Sequence, residues 1–368
     1  MRRSFHLGRV IFLLLVRLFF VSAYKALSDS FLRAVPSPGS DFNINDGALL
    51  APILIPRVPG TPGQEQVQQH FVNFFQTELP TWSMEWQNST STTPVSGSKQ
   101  IQFSNLIFKK EPPWVKPGQS NLLTLVAHYD SKYLPEGFIG ATDSAAPCAM
   151  LMHAARSIDK YLVQMHGEMA ALNEGGSVEM DMGIQILLLD GEEAFKSWTD
   201  TDSLYGSRAL AEQWELSPNS AGSWYPNPLS QISLFVLLDL LGSANPKVPS
   251  YFLTTHWAYR AMASIESRMR KLGLLESNPE RAFLPDDDMI MARSMISDDH
   301  LPFLSRGVEI LHVIPSPFPA VWHKMEDDGE HLDMPTVRDW GKIVTAFALE
   351  WLDMMEVWYG DEDSTGKT

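Results

Sequence analysis

Residues 184–198 read IQILLLDGEEAFKSW. Six apolar or near-apolar residues run straight into Asp190, Gly191 and two adjacent glutamates, Glu192 and Glu193. A strand this apolar belongs inside a sheet covered on both faces. Two neighbouring carboxylates at its mouth repel each other and resist desolvation. Their presence there asks for a chemical reason.

Working outward, the same rhythm repeats. The runs TWSMEWQ, KQIQFSNLIF and NLLTLVAHY read as strands, and GQEQVQQHFVNFFQTEL as a helix in which Val67, Phe71, Phe74 and Phe75 share a face. A helix from about Ala145 precedes GIQILLLD. A helix over DSLYGSRALAEQW, the strand ISLFVLLDLLG and a helix over 257–273 follow it. The strand VEILHVI and a terminal helix over 335–358 close the pattern. Strands alternating with helices predict a three-layer α/β/α sandwich around a mostly parallel, mixed sheet. The segments HGEMAALNEGGSVEMDMG and SPNSAGSWYPNPLS read as surface loops, and the proline-rich residues 24–60 as an extended lead-in or surface wrap. The expected organisation is a leader over 1–23, that lead-in over 24–60, one catalytic domain over 61–359 and a polar tail over 360–368.

The 368 residues are 44% hydrophobic and 20% charged, enough apolar mass for one large domain. The formal charge of -16, with no basic cluster beyond the N-terminus, argues against nucleic acid, which is bound by neutralising phosphates. The leader places Arg2, Arg3 and Arg9 before an apolar stretch from Val10 to Val21 and ends in Val21-Ser22-Ala23. That is the pattern of a secretory signal, or of an uncleaved anchor that Arg17 makes unfavourable as a span. A sequon, NST at Asn88, agrees with that route. Cys148 is the single cysteine, so no intrachain disulfide forms, and it reads as a small buried hydrophobe.

In such sheets, sites form beyond the carboxyl ends of the strands, and here that edge is polar. LLTLVAHYDS ends in His128 and Asp130, and SLFVLLDLLG carries Asp239 inside an apolar strand. EILHVI leads to PSPFPAVWH, ending in His323, and the loop FIGATDSAAP adds Asp143. Imidazole and carboxylate ligands gathered from separate strand ends suit zinc. A divalent cation offsets the repulsion between Glu192 and Glu193, one binding it while the other serves as a base. Asp143 and His323 are natural co-ligands, with His128 and Asp239 as further candidates. Each alone has a plainer reading: a structural histidine, a helix cap at Asp143, a solvated turn at Glu192 and Glu193.

The order His128, Asp143, Glu192-Glu193, Asp239, His323 resembles the zinc-dependent aminopeptidase-like peptidases. The words AHYDSKY, GATDSAAPCAM, DGEEAF, DSLYGSR, LLDLLG, DDHLPFLSRGV and LHVIPSPFPAVWH, spread over about 100–352, resemble the glutaminyl cyclases within them. That resemblance implies a zinc enzyme that cyclises N-terminal glutamine of peptides or proteins to pyroglutamate, acting as a monomer. It implies one zinc on Asp143, Glu193 and His323, with Glu192 as acid/base. It further implies a hydrogen-bonded pair of Asp239 and Asp298 beside the reacting amide, and an aromatic pocket of Trp198, Phe318 and Trp322. Asp299 and His300 share the turn of Asp298 and support it.

The chain departs from animal glutaminyl cyclases in three places. Ala127 stands where they often carry a cysteine paired to the one in PCAM, Ser297 where they often place glutamine, and the loop from Tyr133 to Gly140 is short. These departures bear on substrate preference, not on the metal core. Two other readings stay open: an aminopeptidase with a second zinc through His128 and Asp239, and a non-catalytic luminal binding protein, which the retained Glu192 disfavours. Expressed through a secretory route, the protein should run faster on a gel after glycosidase treatment. Asn88→Gln should abolish the difference, and an untreated protein of the same mobility would refute the assignment.

Overall fold

The run before Asp190 forms β4 (Met182–Leu189), which lies inside a six-stranded sheet. The computed structural model describes residues 26–173, 175–176, 181–284 and 296–353. The leader, the polar tail and the end of the terminal helix expected to reach 358 lie outside them. The other strands are β1 (Ser83–Ser91), β2 (Ile101–Lys110), β3 (Asn121–His128), β5 (Ile232–Leu238) and β6 (Ile310–Val313). Their order across the sheet is β1-β2-β4-β3-β5-β6. The pairs β4/β3, β3/β5 and β5/β6 are parallel, while β1/β2 and β2/β4 are antiparallel. The expected α/β sandwich with a mostly parallel mixed sheet is therefore the fold observed.

Strand alternation divides the core into two layers. Leu123, Leu125, Ile184, Ile186, Leu188, Val236 and Leu311 face one side. There they pack with α2 (Pro62–Glu78), α3 (Ala146–Leu172), α5 (His256–Lys271) and α7 (Met334–Trp351). Val126, Leu187, Leu189, Phe235, Leu237 and Ile310 face the other, against α4 (Tyr205–Leu216) and the single turn α6 (Leu301–Leu304). Burial on both faces explains why the central strands read as continuous apolar runs. Edge strand β1, with only Gln87 buried, does not.

Three readings of the sequence are corrected. The segment 166–183 is not all loop: α3 continues through Leu172 before Asn173, in the left-handed region at φ 54, ends it. Met169, Ala170, Ala171 and Leu172 are good helix formers and outweigh the polar residues around them. The proline-rich segment is no extended wrap. It forms a short helix, α1 (Asp29–Ala34), and two tight turns, and it buries Phe31, Leu32, Phe42, Leu49, Leu50 and Ile53 in the larger core layer. Asp239 is not inside β5 but one residue beyond its end, where its carboxylate is still buried.

Phe75 of α2 stacks on Phe108 of β2 with ring centroids 3.6 Å apart and planes 8° apart. Phe108→Ala should cost about 3–5 kcal/mol of stability, the usual scale for deleting a fully buried aromatic, measurable by urea unfolding.

Candidate metal centre

The carboxyl ends of the parallel strands converge on one edge, and the chemistry-bearing residues sit there. His128 is the last residue of β3. Asp130 follows two residues later and answers much of the question posed by the paired glutamates. Its Oδ1 accepts the Glu192 amide and its Oδ2 the Glu193 amide, both at 3.1 Å. The clamp fixes the backbone of the pair and leaves their side chains free to diverge, as successive residues of extended chain do. Gly191, at φ 70, has no room for a Cβ, which would lie 2.3 Å from the Phe103 ring.

Glu193 Oε2 takes a hydrogen bond from Lys132 Nζ at 3.0 Å. Its other oxygen, Oε1, is buried without a partner and lies 3.6 Å from His323 Nε2. Asp143 repeats this pattern: Oδ1 meets His128 Nε2 at 3.0 Å, while the buried Oδ2 has no hydrogen-bond partner and lies 3.4 Å from His323 Nε2. Ligand atoms of Asp143, Glu193 and His323 all lie within 4.8 Å of one another. Two orphaned carboxylate oxygens beside an imidazole nitrogen form a donor set that fits zinc.

The electrostatics agree. Burial lowers the His323 pKa, but the Asp143 and Glu193 carboxylates outweigh it and push it up to about 9. Burial likewise opposes the charge on Asp143, yet the His128 hydrogen bond and the nearby His323 imidazole hold it below the usual carboxylate range. His128, despite full burial, is raised well above an ordinary histidine by Asp130, Asp143 and Asp239. Negative charge converging on this edge calls for a cation.

A second group, His128, Asp143 and Asp239, shares Asp143. Asp239 Oδ1 is already engaged: it accepts the Ser144 hydroxyl and the Leu240 amide, the latter at 2.8 Å. Burial pushes its carboxyl up to about 6. Asp298 lies close enough to Asp239 to contribute to that rise. Asp298 Oδ2 also pairs with His312 Nε2 of β6 at 2.7 Å. Asp299 and His300 are buried in the same turn, and His300 packs 4.5 Å from the His312 ring.

Asp143, Glu192, Asp239 and His323 line a cavity of about 460 Å³ together with Trp198, Phe318 and Trp322. Trp322 stacks on His323 at 3.9 Å and meets Phe318 edge-on at 4.8 Å. Trp198 Nε1 donates to Ser297 Oγ at 3.0 Å, which ties one wall of the cavity to the turn before Asp298. Burial pushes the Glu192 carboxyl well above its usual range; His128 opposes this, and Glu193, Asp298 and Asp299 add to it. Cys148 is buried, donates to the His128 carbonyl at 3.1 Å, and has its thiol pushed up to about 12 by burial, which suits a packing role.

Reading of the sequence missed Lys132, Ser144, His312 and Asp327. Lys132 and Ser144 lie in motif words that were noticed for their histidine and aspartates. His312, a lone histidine in an apolar strand, was a signal left unused.

Residues 113–348 match peptidase family M28, which makes the chain a member of that zinc-peptidase-like class. A glutaminyl-peptide cyclotransferase from the snake Boiga irregularis is 42% identical over 311 residues, covering 83% of this chain and 80% of the relative. The crystal structure of a Macrostomum lignano glutaminyl cyclase superposes with a TM-score of 0.75 at 29% identity, covering 91% of this chain and 96% of that one. A zinc-dependent exopeptidase from Parabacteroides distasonis shares the fold with a TM-score of 0.59 at 20% identity, covering 84% of this chain and 98% of that one. Within the M28 class, the chain belongs to the glutaminyl-peptide cyclotransferase family.

Asp130→Ala should strand the buried amides of Glu192 and Glu193. A loss of about 2 kcal/mol or more in denaturant unfolding is expected, since each unmade buried hydrogen bond costs ~1–3 kcal/mol.

Proposed function

We propose that this chain converts the N-terminal glutamine of peptides to pyroglutamate with release of ammonia, using zinc held by Asp143, Glu193 and His323. The observation that carries the reading is the pair of buried, unpartnered oxygens, Asp143 Oδ2 and Glu193 Oε1, beside His323 Nε2 at the aromatic cavity. Bound there, zinc supplies a Lewis acid for the γ-carbonyl of the glutamine side chain.

The chain's own residues do the rest. Trp198, Phe318 and Trp322 hold the first residue, so its α-amine stands against the carbonyl carbon of its own side-chain amide as an intramolecular nucleophile. Glu192 accepts a proton from the amine as the new C–N bond forms. It returns that proton to the nitrogen of the amide C–N bond that breaks, and ammonia leaves. Burial raises its pKa above the usual carboxylate range, the direction that favours holding the proton until it is returned. Asp239 and Asp298, steadied by Ser144 and His312, accept hydrogen bonds from the amine and the departing amide nitrogen.

The triad of His128, Asp143 and Asp239 is the specific observation favouring a second reading, a two-zinc aminopeptidase. Two facts support a single zinc instead: His128 is hydrogen-bonded directly to Asp143 Oδ1, and Ser144 to Asp239 Oδ1. Those oxygens already have donors, unlike the orphaned pair. The leader and the sequon at Asn88, exposed on edge strand β1, support passage through the secretory pathway.

Mass analysis of a glutamine-initiated peptide distinguishes the readings, because cyclisation removes ammonia and hydrolysis removes a residue. Loss of ammonia is expected, and release of free amino acids instead would overturn the cyclase. Glu193→Gln should weaken zinc binding, whereas Glu192→Gln should keep the metal and lose turnover roughly a hundredfold or more. The opposite pattern would reverse the two roles.

A further inference from the structure

Arg57 comes from the proline-rich segment, far in sequence from the metal centre, and is completely buried. A buried guanidinium is costly unless its donors are met. Its charge is not met by a salt bridge among the described residues. It is met by carbonyls: Nη1 donates to Ile53 at 3.5 Å, to Ile55 at 3.3 Å and to Ile139. Nη2 donates to Gly140 at 2.9 Å and to Asp143 at 3.4 Å. Two of these acceptors belong to Arg57's own segment. The other three belong to the turn that carries Asp143.

That turn is a single wide helical turn (Ala141–Ala145) in which the Ala145 amide donates to the Gly140 carbonyl at 3.2 Å, with Asp143 and Ser144 outside helical geometry. Gly140 sits at φ +65, and a Cβ there would lie 2.2 Å from the Asp143 carbonyl oxygen, so the chain doubles back too tightly for any other residue. On one side Asp327 answers the turn's donors. It accepts from the Thr142 amide at 2.7 Å and the Thr142 hydroxyl at 2.9 Å, and its carbonyl accepts from Ala141 at 3.0 Å. On the other side Arg57 answers its acceptors. The Arg57 amide in turn donates to Ser131 Oγ at 2.9 Å, pinning this segment beside Asp130 at the end of β3. Only a planar fork reaches so many carbonyls at once; a lysine ammonium offers fewer donors from one point.

We propose that Arg57 is a positioning residue for the metal centre: by gathering the carbonyls of Ile139, Gly140 and Asp143, it sets the Asp143 carboxylate toward His323 and Glu193. The inference rests on the reading of Asp143, Glu193 and His323 as zinc ligands. Asp143 is common to two of the three candidate triads among the described residues, the two that meet at the cavity, so its placement governs both; the third is Asp298, His300 and His312. Groups that orient a ligand without touching the metal are worth roughly ten- to a hundredfold in metal affinity.

The test is zinc affinity of the full chain, measured by competition with a chromophoric chelator, zinc being the only added metal. Arg57→Lys and Arg57→Gln should each weaken zinc binding by roughly ten- to a hundredfold while the far-ultraviolet circular dichroism stays native. Phe31→Ala is the control: it opens the core under the same segment, where Phe31 packs on Tyr161 with ring centroids 5.3 Å apart. It should lower Tm and leave zinc affinity unchanged. Wild-type affinity in a folded Arg57 variant overturns the proposal, as does equal weakening in Phe31→Ala, which would mean the segment acts only through general stability. If neither Arg57 variant folds, Gly140→Ala decides. It displaces the Asp143 carbonyl while leaving Arg57 in place, so weakened zinc binding supports the proposal and unchanged binding overturns it. His323→Ala tests the underlying reading separately. Undiminished binding there removes the zinc site itself, whereas loss there with retention in Arg57→Lys removes only the role of Arg57.

Discussion

The two oxygens of Asp130 hold the amides of Glu192 and Glu193, and everything at this sheet edge depends on that clamp. Adjacent carboxylates would ordinarily turn to solvent and screen each other. Here the backbone beneath them is fixed by a buried charge-assisted pair of hydrogen bonds, which are stronger than neutral ones. The side chains then take different environments. Glu193 turns to Lys132 and His323, while Glu192 lines the cavity, where burial favours its protonated form. One backbone constraint thus separates a carboxylate that faces His323 from one that lines the cavity.

The same edge shows how one donor set differs from another that resembles it. The oxygens of the His128, Asp143 and Asp239 group already meet an imidazole and a hydroxyl. The oxygens beside His323 meet nothing, and a buried carboxylate oxygen without a partner is rare in a folded protein. Around these groups the fold supplies an aromatic wall. Trp322 lies flat on His323 and Phe318 stands against Trp322, so the imidazole is held in orientation by packing rather than by a hydrogen bond to its own element.

The segment before the first strand, which composition suggested was peripheral, is part of this machinery. Its apolar residues complete the larger core layer, and Arg57 reaches the turn of Asp143. Proline and glycine in that stretch record the tight path of a chain that wraps inward.

By itself, the sequence determined the layered α/β architecture, because alternation of buried apolar runs with amphipathic helices is a local pattern. It also determined which residue types crowd the carboxyl edge, since each follows its strand directly, and the motif words marked the family. Tertiary structure alone decided the partnerships. That Asp298 pairs with His312 depends on where β6 lies relative to β5, and no spacing along the chain encodes that distance. Which carboxylate oxygens stay unpartnered depends on donors arriving from Ser144, Lys132 and His128, at three separate points between the end of β3 and the start of α3. The burial of Arg57 against a turn more than eighty residues away is the extreme case. A hydrogen bond between distant segments is a property of packing, and only the folded chain brings its two ends together.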